Sequence, residues 1–127
     1  MGNMGCEKRV RLASPTDASV LIQLNHEFNE VVMPLAAVKR SLQQAHEIVA
    51  IAYLGDEPAG FACAQLFQSF CYGQAMGEIT EMYIRESARR QGLAGMLIEF
   101  LERQLQQRGW NREAADWSRQ RSGDRCL

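Results

Sequence analysis

The sequence predicts a mixed α/β (α+β) fold, a mostly antiparallel sheet flanked by helices, in the order β-α-α-β-β-β-α. Three observations carry that prediction. Ile48 to Leu54 is a short run that is apolar throughout, and turn chemistry at Gly55-Asp56-Glu57-Pro58 joins it to a second apolar run over 59–67. From Gly92 onward, Leu93, Met96, Leu97, Phe100, Leu101 and Leu105 keep helical spacing, with Glu99, Glu102, Arg103 and Gln106 on the opposite side. A glycine-containing basic loop links the last strand to that helix.

The first strand is read over 8–12, where residue character alternates. Ser14-Pro15-Thr16-Asp17 then opens a helix, with a serine able to cap, a proline suited to the first helical position and an acid in the first turn. Leu21, Leu24 and Phe28 share one face of it, and Pro34, with its extended-biased predecessor Met33, is expected to end or break it. A second helix is expected over 35–45. The run 48–54 lacks alternation, as befits a central strand covered on both faces, and pairs with 59–67 as an antiparallel hairpin. A further strand over 78–84 sends Ile79, Glu81 and Tyr83 to one face and Thr80, Met82 and Ile84 to the other. Gly109 is expected to stop the final helix.

The 127 residues, 46% hydrophobic and 23% charged, fit one domain over 1–127 with an atypical tail over 110–127. A formal charge of −1 with interspersed signs provides no extended cationic surface for nucleic acid. No segment approaches the ~20 apolar residues of a membrane span. Cys6, Cys63, Cys71 and Cys126 form no Cys-x-x-Cys pair, which argues against a metal site and for reduced thiols in a cytoplasmic protein. Cys63 and Cys71 are read as small apolar side chains near the sheet, Met82 and Met96 as core, and His26 and His46 as surface or capping residues.

The segment with chemistry runs from Glu81 through Met82-Tyr83-Ile84 to Arg89-Arg90-Gln91-Gly92-Leu93-Ala94-Gly95. A strand passing through a short basic loop into a helix start presents unpaired N–H groups and the positive end of the helix dipole, which together suit a pyrophosphate. Gly92, Ala94 and Gly95 keep bulk away from that approach, and Arg89 and Arg90 add positive charge. The strand offers main-chain donors and acceptors to an extended amide-bearing arm.

Arg89-Arg90-Gln91-Gly92-Leu93-Ala94 matches the Arg/Gln-x-x-Gly-x-Gly/Ala loop of the GNAT superfamily of N-acetyltransferases, which the chain resembles over about 9–109. The hairpin from Tyr53 to Phe61 and the opening from Arg11 to Ala18 match it also. The resemblance implies that residues 90–95 bind the pyrophosphate of acetyl-CoA through their amides, and that the Met82-Tyr83-Ile84 backbone pairs with pantetheine and orients the acetyl carbonyl. It implies direct attack by a primary amine of a small molecule or peptide, without a metal. Glu81 is the candidate base, from a place where family members recruit a carboxylate; as a residue it also reads as a solvated strand position or an ion-pair partner, and Tyr83 as packing.

After Gly109 the family pattern of a further strand, a helix with Asn-x-x-Ala and Tyr, and a final hairpin is absent. Read one nucleotide forward from Asp116, the permitted residues accommodate that Asn-x-x-Ala-x-x-x-Tyr pattern, which leads to the hypothesis of a frameshift upstream of Asp116. An incomplete sheet exposes an edge, for which a homodimer is one remedy and a tail helix over 112–119, anchored by Trp110 and Trp117, another. The alternative function is a non-catalytic module that folds, binds CoA or oligomerises.

Overall fold

A computed structural model describes residues 7–44, 47–71 and 73–111. The elements are β1 (Lys8–Leu12), α1 (Ala18–Asn29), α2 (Leu35–Gln44), β2 (Ile48–Leu54), β3 (Glu57–Gln68), β4 (Ala75–Ile84) and α3 (Leu93–Gln107), in the expected order. Short 3-10 turns at Pro15–Asp17 and Glu86–Ala88 precede α1 and α3. The four strands form one sheet, β1-β2-β3-β4, antiparallel at every pairing.

Each face of the sheet carries its own core. On one, Ala50, Ala52, Ala62 and Ala64 form a floor of small side chains on which Leu93, Leu97, Leu101 and Leu105 of α3 pack. The other buries Val49, Ile51, Phe61 and Cys63 against Leu21 and Leu24 of α1. Coverage on both sides explains why β2 is apolar at every position.

The start of α1 is fixed electrostatically. Arg11 on β1 grips the Asp17 carboxylate with two bonds of 2.8 Å, and Asp17 also accepts the Ser14 N–H at 2.8 Å. The same guanidinium donates to the Tyr53 hydroxyl at 2.7 Å and lies over its ring. Asp17 is 7% exposed, and the Arg11 hydrogen bonds hold its carboxyl at about 2, below the ordinary 3.8.

Some expectations need correction. A β-bulge sets Cys63 opposite Glu81 but Ala64 opposite Ile79, so β4 takes two steps where β3 takes one. Ile79 therefore joins Met82 against the α3 core instead of sharing the face of Glu81 and Tyr83. α1 ends at Asn29, ahead of Pro34, because Glu30 adopts a left-handed conformation (φ 58°) and donates its N–H to the His26 carbonyl. β3 and β4 extend beyond the apolar runs, since ladder pairing continues through exposed positions. Cys63 is buried as expected, whereas Cys71 is exposed beyond the end of β3.

α3 closes in a Schellman motif: Trp110 N–H reaches the Leu105 carbonyl and Gly109 N–H that of Gln106, with Gly109 at φ +112°. Trp110 is buried against Leu105 over Gly77. Residues 112–127 lie outside the described residues, and with them Trp117, Cys126, the expected tail helix and the Asp116 frameshift point; so do Cys6, Ala45 and His46.

Two outcomes follow. A Cβ at Gly60 collides with the Tyr83 carbonyl oxygen and approaches Ile84 Cδ1 to 2.7 Å. Gly60→Ala is expected to cost about 1–3 kcal/mol in urea unfolding, because β4 must move away from β3. For Asp17, a carboxyl depressed in the fold adds stability above its unfolded value of 3.8 that is lost as pH falls toward about 2. With Arg11 partly in water the loss is on the order of 1–2 kcal/mol. Glu27 is lowered over the same window, so Asp17→Asn is the informative comparison: it should remove part of the wild-type decline between pH 4 and 2, leaving the remainder.

Candidate active site

The loop after β4 ends at Gly92, the residue before α3, with φ +85°, a conformation that suits glycine. Among the described residues no side chain caps this end of α3, so the first amides of the helix keep their hydrogen-bonding capacity there. Arg90 is also left-handed, at φ +65°. That is unfavourable for a non-glycine residue by roughly 1–2 kcal/mol and places backbone strain within the loop. Lys8 Nζ donates to the Gln91 carbonyl at 2.6 Å and ties the loop to β1. Arg89 Nε donates to the Ile84 carbonyl at 2.8 Å, so Arg89 braces the loop, while the Arg90 side chain forms no hydrogen bond or ion pair among the described residues.

β4 forms the outer edge of the sheet among the described residues. Arg85 N–H points to the Ala59 carbonyl on β3. Alternation along an antiparallel ladder then turns Tyr83 toward β3 and the main-chain groups of Met82 and Ile84 outward. With the Ile84 carbonyl occupied by Arg89, the open groups are the Met82 N–H and C=O and the Ile84 N–H. Of the sequence-derived strand site, Tyr83 contributes its side chain rather than its peptide.

These parts share one cavity of about 630 Å³, lined by Met82, Tyr83 and Ile84 from β4 and by Arg89, Arg90 and Gly92 from the loop. Leu93 and Ala94 line it too. Leu93 is 1% exposed with its side chain in the core, so only its main chain is available. Gln91 and Gly95 flank this group without lining the cavity.

The other wall went unforeseen in the sequence. Glu27 and Phe28, at the end of α1, line the same cavity. Arg85 binds the Glu27 carboxylate through Nε and Nη2, both at 2.9 Å, and Tyr83 donates its hydroxyl to the same carboxylate at 3.0 Å. Phe28 stacks on Tyr83 with centroids 5.3 Å apart. The Arg85 hydrogen bonds hold Glu27 at about 2, so it stays ionised and paired. Burial and the Glu27 bond push the Tyr83 hydroxyl up, keeping it protonated. A separation of 58 residues between Glu27 and Arg85 leaves no local pattern that reveals the pair.

Glu81 opens on the α1 face of the sheet, as Tyr83 does, but away from the larger cavity. It lines a second cavity, of about 290 Å³, beneath α1 and α2, together with Glu47, Cys63 and Asn29. The two cavities meet at consecutive residues: Glu81 faces one and Met82 the other, and Asn29 faces one and Phe28 the other. Glu81 forms no ion pair among the described residues. Burial, followed by Glu47 and Glu81, pushes the Cys63 thiol up and keeps it protonated. His26 is exposed. Among the described residues no group of His, Cys, Asp and Glu could hold a metal ion, and no helix is long and apolar enough to cross a membrane.

The fold is similar to that of solved acetyltransferases. One aminoglycoside acetyltransferase from an uncultured soil metagenomic sample is 23% identical, with a TM-score of 0.72 over 81% of this chain and 74% of that one. Another from such a sample, in complex with sisomicin, is 17% identical, with a TM-score of 0.71 over 89% and 86%. A ribosomal-protein-alanine N-acetyltransferase from Brucella melitensis biovar Abortus is 19% identical, with a TM-score of 0.69 over 80% and 74%. No curated protein matches the sequence. The model of the acetyltransferase (GNAT) family matches residues 18–122, continuing past Gly109, and with the strand-loop-helix geometry described above it establishes that this chain belongs to the GNAT acetyltransferase family.

Proposed function

We propose that the chain transfers an acetyl group from acetyl-CoA to a primary amine of a small molecule or peptide by direct attack. The observation that carries this reading is the union, in one cavity, of an uncapped helix start, an unpaired strand edge and the Arg90 guanidinium. Amides of residues 90–95 hold the diphosphate, supported by the helix dipole and by Arg90. Met82 and Ile84 bond the amide-bearing arm at the strand edge, and Arg89 maintains the loop geometry.

The acceptor occupies the smaller cavity and reaches the thioester across the Glu81–Met82 step. An ammonium must lose a proton before its nitrogen can attack; Glu81 accepts it, directly or through water. The N–C bond forms as the C–S bond breaks, and the thiolate leaves with the electron pair. Most of the acceleration then comes from holding amine and carbonyl in attack geometry.

The β4 edge, unpaired among the described residues, also favours a second reading, a non-catalytic module that binds CoA or oligomerises. Thiol release from acetyl-CoA across an amine panel separates the two, since both predict binding and only one predicts turnover.

Acetyl-CoA is expected to raise the Tm of the wild type by several degrees. Gly95→Glu supplies the control. Gly95 lies in the first turn of α3 with open space around its Cβ position, so glutamate there favours the helix while repelling a diphosphate. The variant should keep or raise the ligand-free Tm and lose the acetyl-CoA shift; an undiminished shift overturns the site. Gly92→Glu reports less clearly, because φ +85° strains any side chain.

Arg90→Gly separates strain from charge. Releasing a left-handed arginine should stabilise the ligand-free protein by about 1 kcal/mol, while loss of the guanidinium should weaken acetyl-CoA binding several-fold. Calorimetry with thermal melts reads both changes, which run in opposite directions.

A further inference from the structure

We infer that the smaller cavity selects a short aliphatic diamine, with Glu81 facing the ammonium that becomes acetylated and Glu47 holding the second. The inference rests on the transferase reading above and names its acceptor.

Charge is the first argument. Two glutamates line this cavity, and no lysine or arginine is among the described residues that do. Neither glutamate forms a salt bridge among the described residues. Glu47 shares the cavity with the Cys63 thiol, which burial keeps protonated and uncharged, so its own charge is left uncompensated. Two carboxylates bordering a partly apolar space are best matched by two cations.

Spacing is the second. Val49 and Glu81 stand on either side of Cys63 in the sheet register. Glu47 lies on the Val49 side, two residues earlier in the chain. Strand spacing and rise then put the Glu47 and Glu81 Cβ atoms roughly 12 Å apart. Glutamate side chains reaching into the cavity that both residues line take up part of that gap. A diamine with four or five carbons between its nitrogens spans what remains.

The wall between them is the third. Leu21, Val38, Leu42, Val49 and Phe61 give that stretch an apolar lining suited to methylenes. A volume of about 290 Å³ holds on the order of ten non-hydrogen atoms, the size of such a molecule. In the reaction the deprotonated amine takes the acetyl group from the acetyl thioester, the thiolate leaves and is protonated, and the distal ammonium keeps its proton.

The test compares 1,4-diaminobutane and 1,5-diaminopentane with 1-aminobutane on the full chain. Calorimetry without acetyl donor is followed by acetyl transfer with acetyl-CoA, read by mass spectrometry. The diamines should bind about ten-fold more tightly than the monoamine or better, and Glu47→Gln should reduce that preference to within about three-fold. Because Glu47→Gln preserves size and the wild-type comparison stands alone, a folding defect does not decide the result. Equal binding of diamine and monoamine, or an unchanged preference in Glu47→Gln, overturns the inference. Diamine binding without acetylated product, alongside no acetyl-CoA shift, instead defeats the transferase reading and leaves the diamine site standing.

Discussion

The seating of α3 on the sheet sets the position of everything that follows. Four leucines on one stripe of the helix meet four alanines on β2 and β3, and each buried leucine contributes about 1.5–3 kcal/mol. The small floor allows close approach, and that approach places the first turn of α3 beside the end of β4. The uncapped amides and the free strand edge consequently face the same space. Had the floor been built of larger residues, the helix would stand further off and the two binding elements would separate. Gly60 performs the matching service on the strand side, by letting β3 and β4 close where the Tyr83 carbonyl lies.

Local pattern carried the reading of the fold to this point. Apolar spacing in α3, the apolar run of β2 and the turn chemistry at Gly55-Asp56 are short-range signals, and they placed those elements within a residue or two. The Arg89-to-Ala94 loop was legible for the same reason: strand, loop and helix start are contiguous, so the geometry is written in order along the chain. The bulge near Thr80 was not. Its cause is the mismatch of pairing between two strands, and alternation along β4 alone sends Ile79 to the wrong face. The Glu27, Arg85 and Tyr83 contacts escaped likewise, because they depend on where α1 crosses the end of β4.

Those long-range contacts decide the electrostatics of the site. An ionised Glu27 beside a diphosphate would oppose binding, but Arg85 meets it with two bonds, and the pair contributes little net charge to the larger cavity. Arg89, whose partner is a neutral carbonyl, together with Arg90 and the α3 amides then sets the sign. In the smaller cavity the balance reverses, since Glu47 and Glu81 line it with no lysine or arginine among its described residues. A space suited to an anion and one suited to a cation thus adjoin along β4.

On the proposed reaction, this arrangement would also limit what is demanded of any one residue. Two reactants of opposite charge would each be drawn to its own space without competing for the other's contacts. They would meet at the step from Glu81 to Met82, where ordinary alternation sends consecutive side chains to different cavities; the extra residue at Thr80 sets the faces of the residues before it. Without that extra residue the face assignments upstream would exchange, and Ile79 would leave the α3 core for the face of Glu81. The bulge therefore serves packing beside the candidate site: it keeps Ile79 in the core under α3 while Glu81, just after it, faces the smaller cavity.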